Sequence, residues 1–290
     1  MLLSAKFKVT PNRLTLLRIL LLPLPCALLF LESCSAKIAA LGLGSLLGIT
    51  DYLDGVLARR ARKISPIGTL LDPVADKIFI TAVYFTLVYL HYFSFLPVAL
   101  ILSREVIVSY LRSWFPEETR VITITKLKTT FQMLIAGISV VIKTYLPYYS
   151  WIIDYFLWFL AFFSFFSAAP YFYRVGRHLK KMKDSFTRFF YSSFSIFYPL
   201  ILILTFPFTG KLFWINILAL SFYFFRKGLA RSSPKFAQKE SLLIFFVLSG
   251  ILLEYILFKK LEFSLWGVLT FSLFRDGIKS FEIMWNILKL

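Results

Sequence analysis

Four aspartates crowd into residues 51–76 of a 290-residue chain that is 59% hydrophobic, within the stretch DYLDGVLARRARKISPIGTLLDPVAD. Asp51, Asp54, Gly55 and Ala58 fall at i, i+3, i+4 and i+7, which places them on one face of a helix. Gly68, Asp72 and Asp76 step by four and make a second such face. Four bare carboxylates held close together repel, so something positive must sit among them. Hard oxygen donors without Cys or His suit two divalent cations, Mg²⁺ or Mn²⁺. Such a pair neutralises the oxygens on both the attacking and the leaving side of a phosphoryl displacement. Gly55, Ala58 and Gly68 leave room on the same faces for a base or ribose, and Arg59 can bind a phosphate oxygen. A plainer explanation has the aspartates pair with Arg59, Arg60, Arg62 and Lys63 at a membrane surface, with the small residues serving helix packing. Four carboxylates in phase with three small residues are more than that explanation needs.

The elements that must carry these residues are apolar. Runs near 14–31, 38–57, 78–90, 95–111, 130–146 and 151–172 each approach the roughly 20 residues that cross a hydrocarbon core. Further runs near 194–208, 212–225, 241–258 and 263–283 predict three to four more helices. The expected fold is therefore all-α and polytopic: a six-helix bundle over residues 1–183, then an accessory region over 184–290. A carboxylate within a bilayer costs at least a few kcal/mol, so intramembrane aspartates mark function. Cations cluster after the second, fourth and sixth runs, whereas the first, third and fifth connections hold little beyond Lys37, His91 and Lys143. The positive-inside rule then places the aspartates toward the cytoplasm, in an integral protein of what is expected to be a bacterial inner membrane. The net charge of +18 lies between apolar helices, which points to anionic lipid or a phosphate substrate and not to nucleic acid. Cys26 and Cys34, eight positions apart, are about 12 Å from each other on a helix and carry no disulfide or metal signal. The first run follows Lys6, Lys8 and Arg13 as a signal peptide would, but Pro23 and Pro25 interrupt it and it reads as a retained helix.

The string D-x-x-D-G-x-x-A-R, eight residues, then G-x-x-x-D-x-x-x-D resembles the signature of the CDP-alcohol phosphotransferase family at every fixed position: Asp51, Asp54, Gly55, Ala58, Arg59, Gly68, Asp72 and Asp76. The resemblance implies a six-helix membrane fold, usually homodimeric, whose aspartates hold two divalent metals against the pyrophosphate of a CDP-linked donor. It also implies that Asp76 takes the proton of the acceptor hydroxyl and that CMP leaves. TPNRLTLLRILLLP at 10–23, DPVADK at 72–77, SREVIVSYLRSW at 103–114 and KLKTTFQM at 126–133 look like the phosphatidylglycerophosphate synthases of that family, which join CDP-diacylglycerol to sn-glycerol 3-phosphate.

Glycerol 3-phosphate is a dianion, and its pocket needs cations that a neutral acceptor does not. Arg104 lies inside the fourth run, eight residues before Arg112 and about two turns deeper. Glu105 is adjacent but points about 100° away, so the expected partner of Arg104 is a bound phosphate or an aspartate across the bundle. Arg112, Lys126, Lys128 and Arg174 complete the candidate acceptor site, although topology alone accounts equally well for the two lysines. Asn12 and Thr15 open the first helix, as nucleotide contacts or as caps.

Other readings stay open. The same chemistry serves phosphatidylglycerol, giving cardiolipin, or an inositol phosphate as acceptor. A cation-coupled transporter would spread its acidic residues through the midplane, whereas these gather at one edge. Beyond residue 185, LARSSPKFAQKESL at 229–242 echoes LARRARKISPIGTLL at 57–71, and FRDGIKSF at 274–281 echoes SREVIVSY at 103–110. Order and spacing suit a decayed duplication that has lost its aspartates, and chance likeness between apolar segments explains them as well. A duplicated half could replace the second subunit of a homodimer and leave a monomer.

Overall fold

A computed structural model describes residues 11–60, 68–115, 123–181, 196–197, 199–208, 213–229 and 276–278. All regular secondary structure among them is helical. The first apolar run divides into α1 (Pro11–Leu21) and α2 (Pro23–Leu28). Pro23 has no N–H to donate, yet Leu22 keeps helical dihedrals and its own N–H reaches Arg18 O, so the chain kinks there without turning away. Helix α3 (Cys34–Arg60) starts where Ser33 Oγ accepts a hydrogen bond from the Ala36 N–H at 3.1 Å. Then follow α4 (Gly68–Tyr89), α5 (Phe95–Trp114), α6 (Thr123–Tyr145) and α7 (Trp151–Lys181). Each overlaps one expected run and extends it, because charged and small residues at the ends continue the helical turn.

The α4–α5 reversal passes through His91 at φ 58°, a left-handed conformation that His tolerates better than most non-glycine residues. Pro147–Tyr149 forms a single 3₁₀ turn between α6 and α7. Past residue 195 the described segments are helical residues 199–204, a 3₁₀ turn at Phe206–Phe208, α8 (Phe213–Leu229) and residues 276–278. The expected runs at 241–258 and 263–283 lie outside the described residues apart from 276–278, as does most of each echoed segment.

Packing makes α4 the axis. Its most extensive partner is α8, and it also meets α1, α2, α5 and α6, while α5 packs on α7 and α6 on α7. Tyr84, Phe85 and Leu87 of α4 are fully buried, with Phe85 stacked on Phe206 at 4.1 Å and Tyr89 stacked on Phe213 at 4.3 Å. Asn216 of α8 donates to Leu202 O at 3.0 Å, and Arg226 of α8 pairs with buried Asp276. Among the described residues one helical stretch, Pro147–Arg177, is by itself long and apolar enough to cross a membrane. Its outward side chains Phe156, Phe159, Phe162 and Phe166 are all exposed. Cys26 and Cys34 are both free thiols, as their spacing predicts.

Candidate active site

Helix formation supplies the phasing that the aspartate motif requires. Asp51, Asp54, Gly55, Ala58 and Arg59 lie in the last turns of α3, and Gly68, Asp72 and Asp76 in the first turns of α4. The side chains of Asp51, Asp54, Ala58, Arg59 and Asp72 lie outside the described residues, as do those of Asn12 and Lys126. Asp76 is described: its side chain is 34% exposed, and Oδ1 stands 3.7 Å from Arg18 Nη1. Arg18 is buried on α1, one turn after buried Thr15, and α1 packs against both α3 and α4. Helix α1 therefore brings a guanidinium to the helices that carry the aspartates. Sequence reasoning passed over Arg18. Its signal was a cation one turn beyond Thr15 in an otherwise apolar helix.

Asp76 remains partly open to a ligand, and the motif offers carboxylate oxygens alone, a donor set that fits a hard divalent cation. Among the described residues no three His, Cys, Asp or Glu side chains converge. Asp76 is the single motif aspartate whose side chain is among them.

A second polar cluster lies between α4, α5, α6 and α7. Arg104 is 1% exposed, and its Nε donates to Ser164 O, its Nη2 to Ser167 Oγ and its Nη1 to Glu105 Oε1, each at 3.1 Å. Glu105 is thus the partner of Arg104, against the expectation from their 100° offset. That offset describes where the Cα–Cβ bonds point, and an arginine is long enough to cross to α7 and still turn one nitrogen back. Glu105 also accepts from Lys128 Nζ of α6, so one buried carboxylate joins α5 to α6. Lys77 of α4 and Arg112 of α5 lie within electrostatic range of this group. Three basic side chains, Lys77, Arg104 and Lys128, thus lie within electrostatic range of the Glu105 carboxylate, and Arg112 lies within range of Lys77 and Lys128. Among the described residues Arg112 Nε is buried without a hydrogen-bond partner. Arg174 is exposed on α7 and takes no part in the hydrogen bonds around Glu105. Lys77, which immediately follows Asp76, was missed because it was read only as the end of DPVADK.

Beside these clusters runs a cavity of about 510 Å³ bounded by α2, α3, α4 and α6. Ala40, Gly44, Gly48, Ala136 and Gly137 keep it open, and Leu29, Phe79 and Leu87 make its surface apolar. Gly48 stands one turn before Asp51 on α3, so the cavity leads along that helix toward the aspartates.

Comparison with known proteins bears on the family. The CDP-diacylglycerol–glycerol-3-phosphate 3-phosphatidyltransferase of Pseudomonas fluorescens is 41% identical over 109 residues, which cover 37% of this chain and 56% of that protein. Proteins of the same name from Salmonella choleraesuis and Escherichia coli K12 are each 39% identical over 132 residues, 43% of this chain and 72% of theirs. The chain thus spans about half the length of the first relative and nearly three quarters of the other two. The sequence model of the CDP-alcohol phosphatidyltransferases matches residues 8–164, more than half of the chain, and this protein belongs to that enzyme family.

Proposed function

We propose that the chain transfers the phosphatidyl group of CDP-diacylglycerol to sn-glycerol 3-phosphate, yielding phosphatidylglycerophosphate and CMP. The observation that carries the choice of acceptor is the positive surplus around Glu105, whose member Lys77 adjoins Asp76 in sequence. A neutral alcohol has no use for it; a phosphate dianion does. Arg104 has all its nitrogens engaged by the protein and acts by holding Glu105 in place. Arg112, with a free buried Nε, and Lys77 are the donors left for the acceptor phosphate, with Lys126 and Lys128 alongside. Exposed Arg174 is at most a guide for the incoming anion.

Asp76 accepts the proton of the acceptor hydroxyl, with the Arg18 guanidinium 3.7 Å from its Oδ1. The hydroxyl oxygen bonds to the phosphorus that carries the diacylglycerol. The bond from that phosphorus to the oxygen bridging to CMP breaks, and CMP departs with the electron pair. Asp51, Asp54, Asp72 and Asp76 would hold two Mg²⁺ or Mn²⁺ ions, whose chemistry is to neutralise charge on the pyrophosphate oxygens. Asn12, Thr15, Gly55, Ala58, Arg59 and Gly68 would face the cytidine nucleotide, and the apolar cavity along α3 suits an acyl chain of the donor.

The same reading makes residues 1–183 the catalytic bundle and 184–290 an accessory region in a polytopic protein of the bacterial inner membrane, with the site on the cytoplasmic side. The exposed phenylalanines of α7 support the lipid contact. The test is CMP release from CDP-diacylglycerol by purified protein in vesicles, against glycerol 3-phosphate, phosphatidylglycerol and inositol phosphate in turn. Release with glycerol 3-phosphate alone is expected. Release only with one of the others would move the acceptor assignment while keeping the donor.

A further inference from the structure

At the end of the bundle remote from the aspartates there is a second cavity, with charged residues in its lining. Helix α4 runs from Asp72 and Asp76 to Tyr89, and 13 residues of rise separate Asp76 from Tyr89, roughly 20 Å. Around Tyr89 the α4–α5 reversal, the α6–α7 corner and the Phe206–Phe208 turn enclose about 980 Å³. His91, Lys143 and Asp154 line it, with Tyr92 and Trp151 among the aromatic walls. Lys37 adds its ammonium 6.0 Å from the centre of the Tyr92 ring. Charges are scarce at this end of the chain, and two of them, Lys143 and Asp154, line one cavity together with His91.

They do not cancel. Asp154 accepts a hydrogen bond from Ser94 Oγ at 2.6 Å, and no ion pair joins it to Lys143 among the described residues. The cavity therefore presents a cationic arm, Lys143, with the His91 imidazole as a hydrogen-bonding group, and a separate anionic arm, Asp154 beside Trp151 and Tyr92. Aromatic faces next to a carboxylate suit an ammonium group. Deeper along the same two helices lies a groove of about 340 Å³ with a wholly apolar surface. Ile138 and Ile142 of α6 lead into it just below Lys143, and Ile153 and Phe156 of α7 just below Asp154. A cavity with charged residues in its lining above an apolar groove, at the depth where aromatic residues gather in membrane proteins, has the form of a phospholipid site.

We propose that this cavity and groove hold a structural zwitterionic phospholipid with a primary-amine headgroup: phosphate on Lys143 and His91, ammonium on Asp154, one acyl chain between α6 and α7. The proposal rests on the reading that the bundle spans a bilayer and is independent of which acceptor the enzyme uses. The experiment reconstitutes the full chain in vesicles, extracts it, and counts retained phospholipid by native mass spectrometry. Vesicles are made of phosphatidylethanolamine, phosphatidylcholine or phosphatidylglycerol. About one phosphatidylethanolamine per chain is expected, with at least tenfold lower occupancy by the other two. Asp154→Asn, Lys143→Glu and the groove-filling Ile138→Trp should each reduce occupancy at least tenfold while CMP release continues. A readout on unmutated protein is quenching of Trp151 fluorescence by headgroup-brominated phosphatidylethanolamine, taken as the difference from Trp151→Phe. Equal retention of all three lipids, unchanged occupancy in Asp154→Asn, or absence of Trp151 quenching overturns the proposal. A chain that does not associate with vesicles at all overturns the membrane reading beneath it, whereas failure of CMP release alone touches only the catalytic assignment.

Discussion

At the scale of single residues, the two polar clusters divide the work, and variants should separate them. Asp72→Asn replaces a charged oxygen donor by a neutral amide of the same shape. It should lower CMP release roughly a hundredfold or more, with helix content unchanged by circular dichroism and weaker binding of Mn²⁺. Near-normal turnover would remove Asp72 from the metal site. Arg112→Ala deletes the donor whose Nε has no partner, so the apparent KM for glycerol 3-phosphate should rise about tenfold or more while that for CDP-diacylglycerol barely moves. Glu105→Gln is a different kind of change: it strips the one carboxylate from among buried cations. Breaking a buried pair in this way destabilises a protein by about 3–5 kcal/mol, and thermal melting in detergent should report that loss whatever the substrate. These contrasts matter because Arg104 and Arg112 look alike in sequence. One is fully engaged by Ser164, Glu105 and Ser167, and the other keeps a free donor.

At the scale of elements, α4 is shared between the site and the contact with α8. The helix that carries Asp72, Asp76 and Lys77 at one end is clamped at the other by α8 through the Tyr89–Phe213 stack. Phe213 is almost wholly buried, and Phe213→Ala leaves a cavity worth about 3–5 kcal/mol in comparable core truncations. A melting temperature lowered by several degrees is expected, with the acceptor KM unchanged. A changed KM without a change in melting would mean that α8 acts on the site directly. Helix α1 plays the complementary part, since its packing on α4 sets Arg18 beside Asp76.

At the scale of the whole molecule, α8 and the Phe206 turn cover a face of α4 that would otherwise be apolar and bare: Phe85 is fully buried against Phe206, and Tyr89 stacks on Phe213. A chain ending at Lys183 would expose that face. If the accessory helices take the place of the second subunit of a homodimer, that truncated chain should dimerise or lose stability in nanodiscs while the full chain is monomeric by light scattering. A full-length homodimer joined through α3 to α7 would contradict that expectation and leave the catalytic assignment intact. The ion pair of Arg226 with Asp276 ties the last described residues to α8, so truncations that spare α8 but remove Asp276 leave a buried guanidinium without its carboxylate.

What the sequence determined by itself is what depends on local periodicity and residue chemistry. Helical phase is set within a few residues, so the faces of Asp51, Asp54, Gly55 and Ala58, and of Gly68, Asp72 and Asp76, could be read from spacing, and both segments are helical. Apolar run length likewise located α3 to α7, because each helix must bury or expose a face as a unit. What only the tertiary structure decided depends on side chains meeting across helices. That Glu105 pairs with its neighbour Arg104 and with Lys128, that Lys77 belongs to the same cluster, and that Arg18 reaches Asp76 are facts of packing between α1, α4, α5, α6 and α7. Long cationic side chains reach about as far as helices are separated, so their partners follow from which helices are neighbours and not from where they fall along the chain.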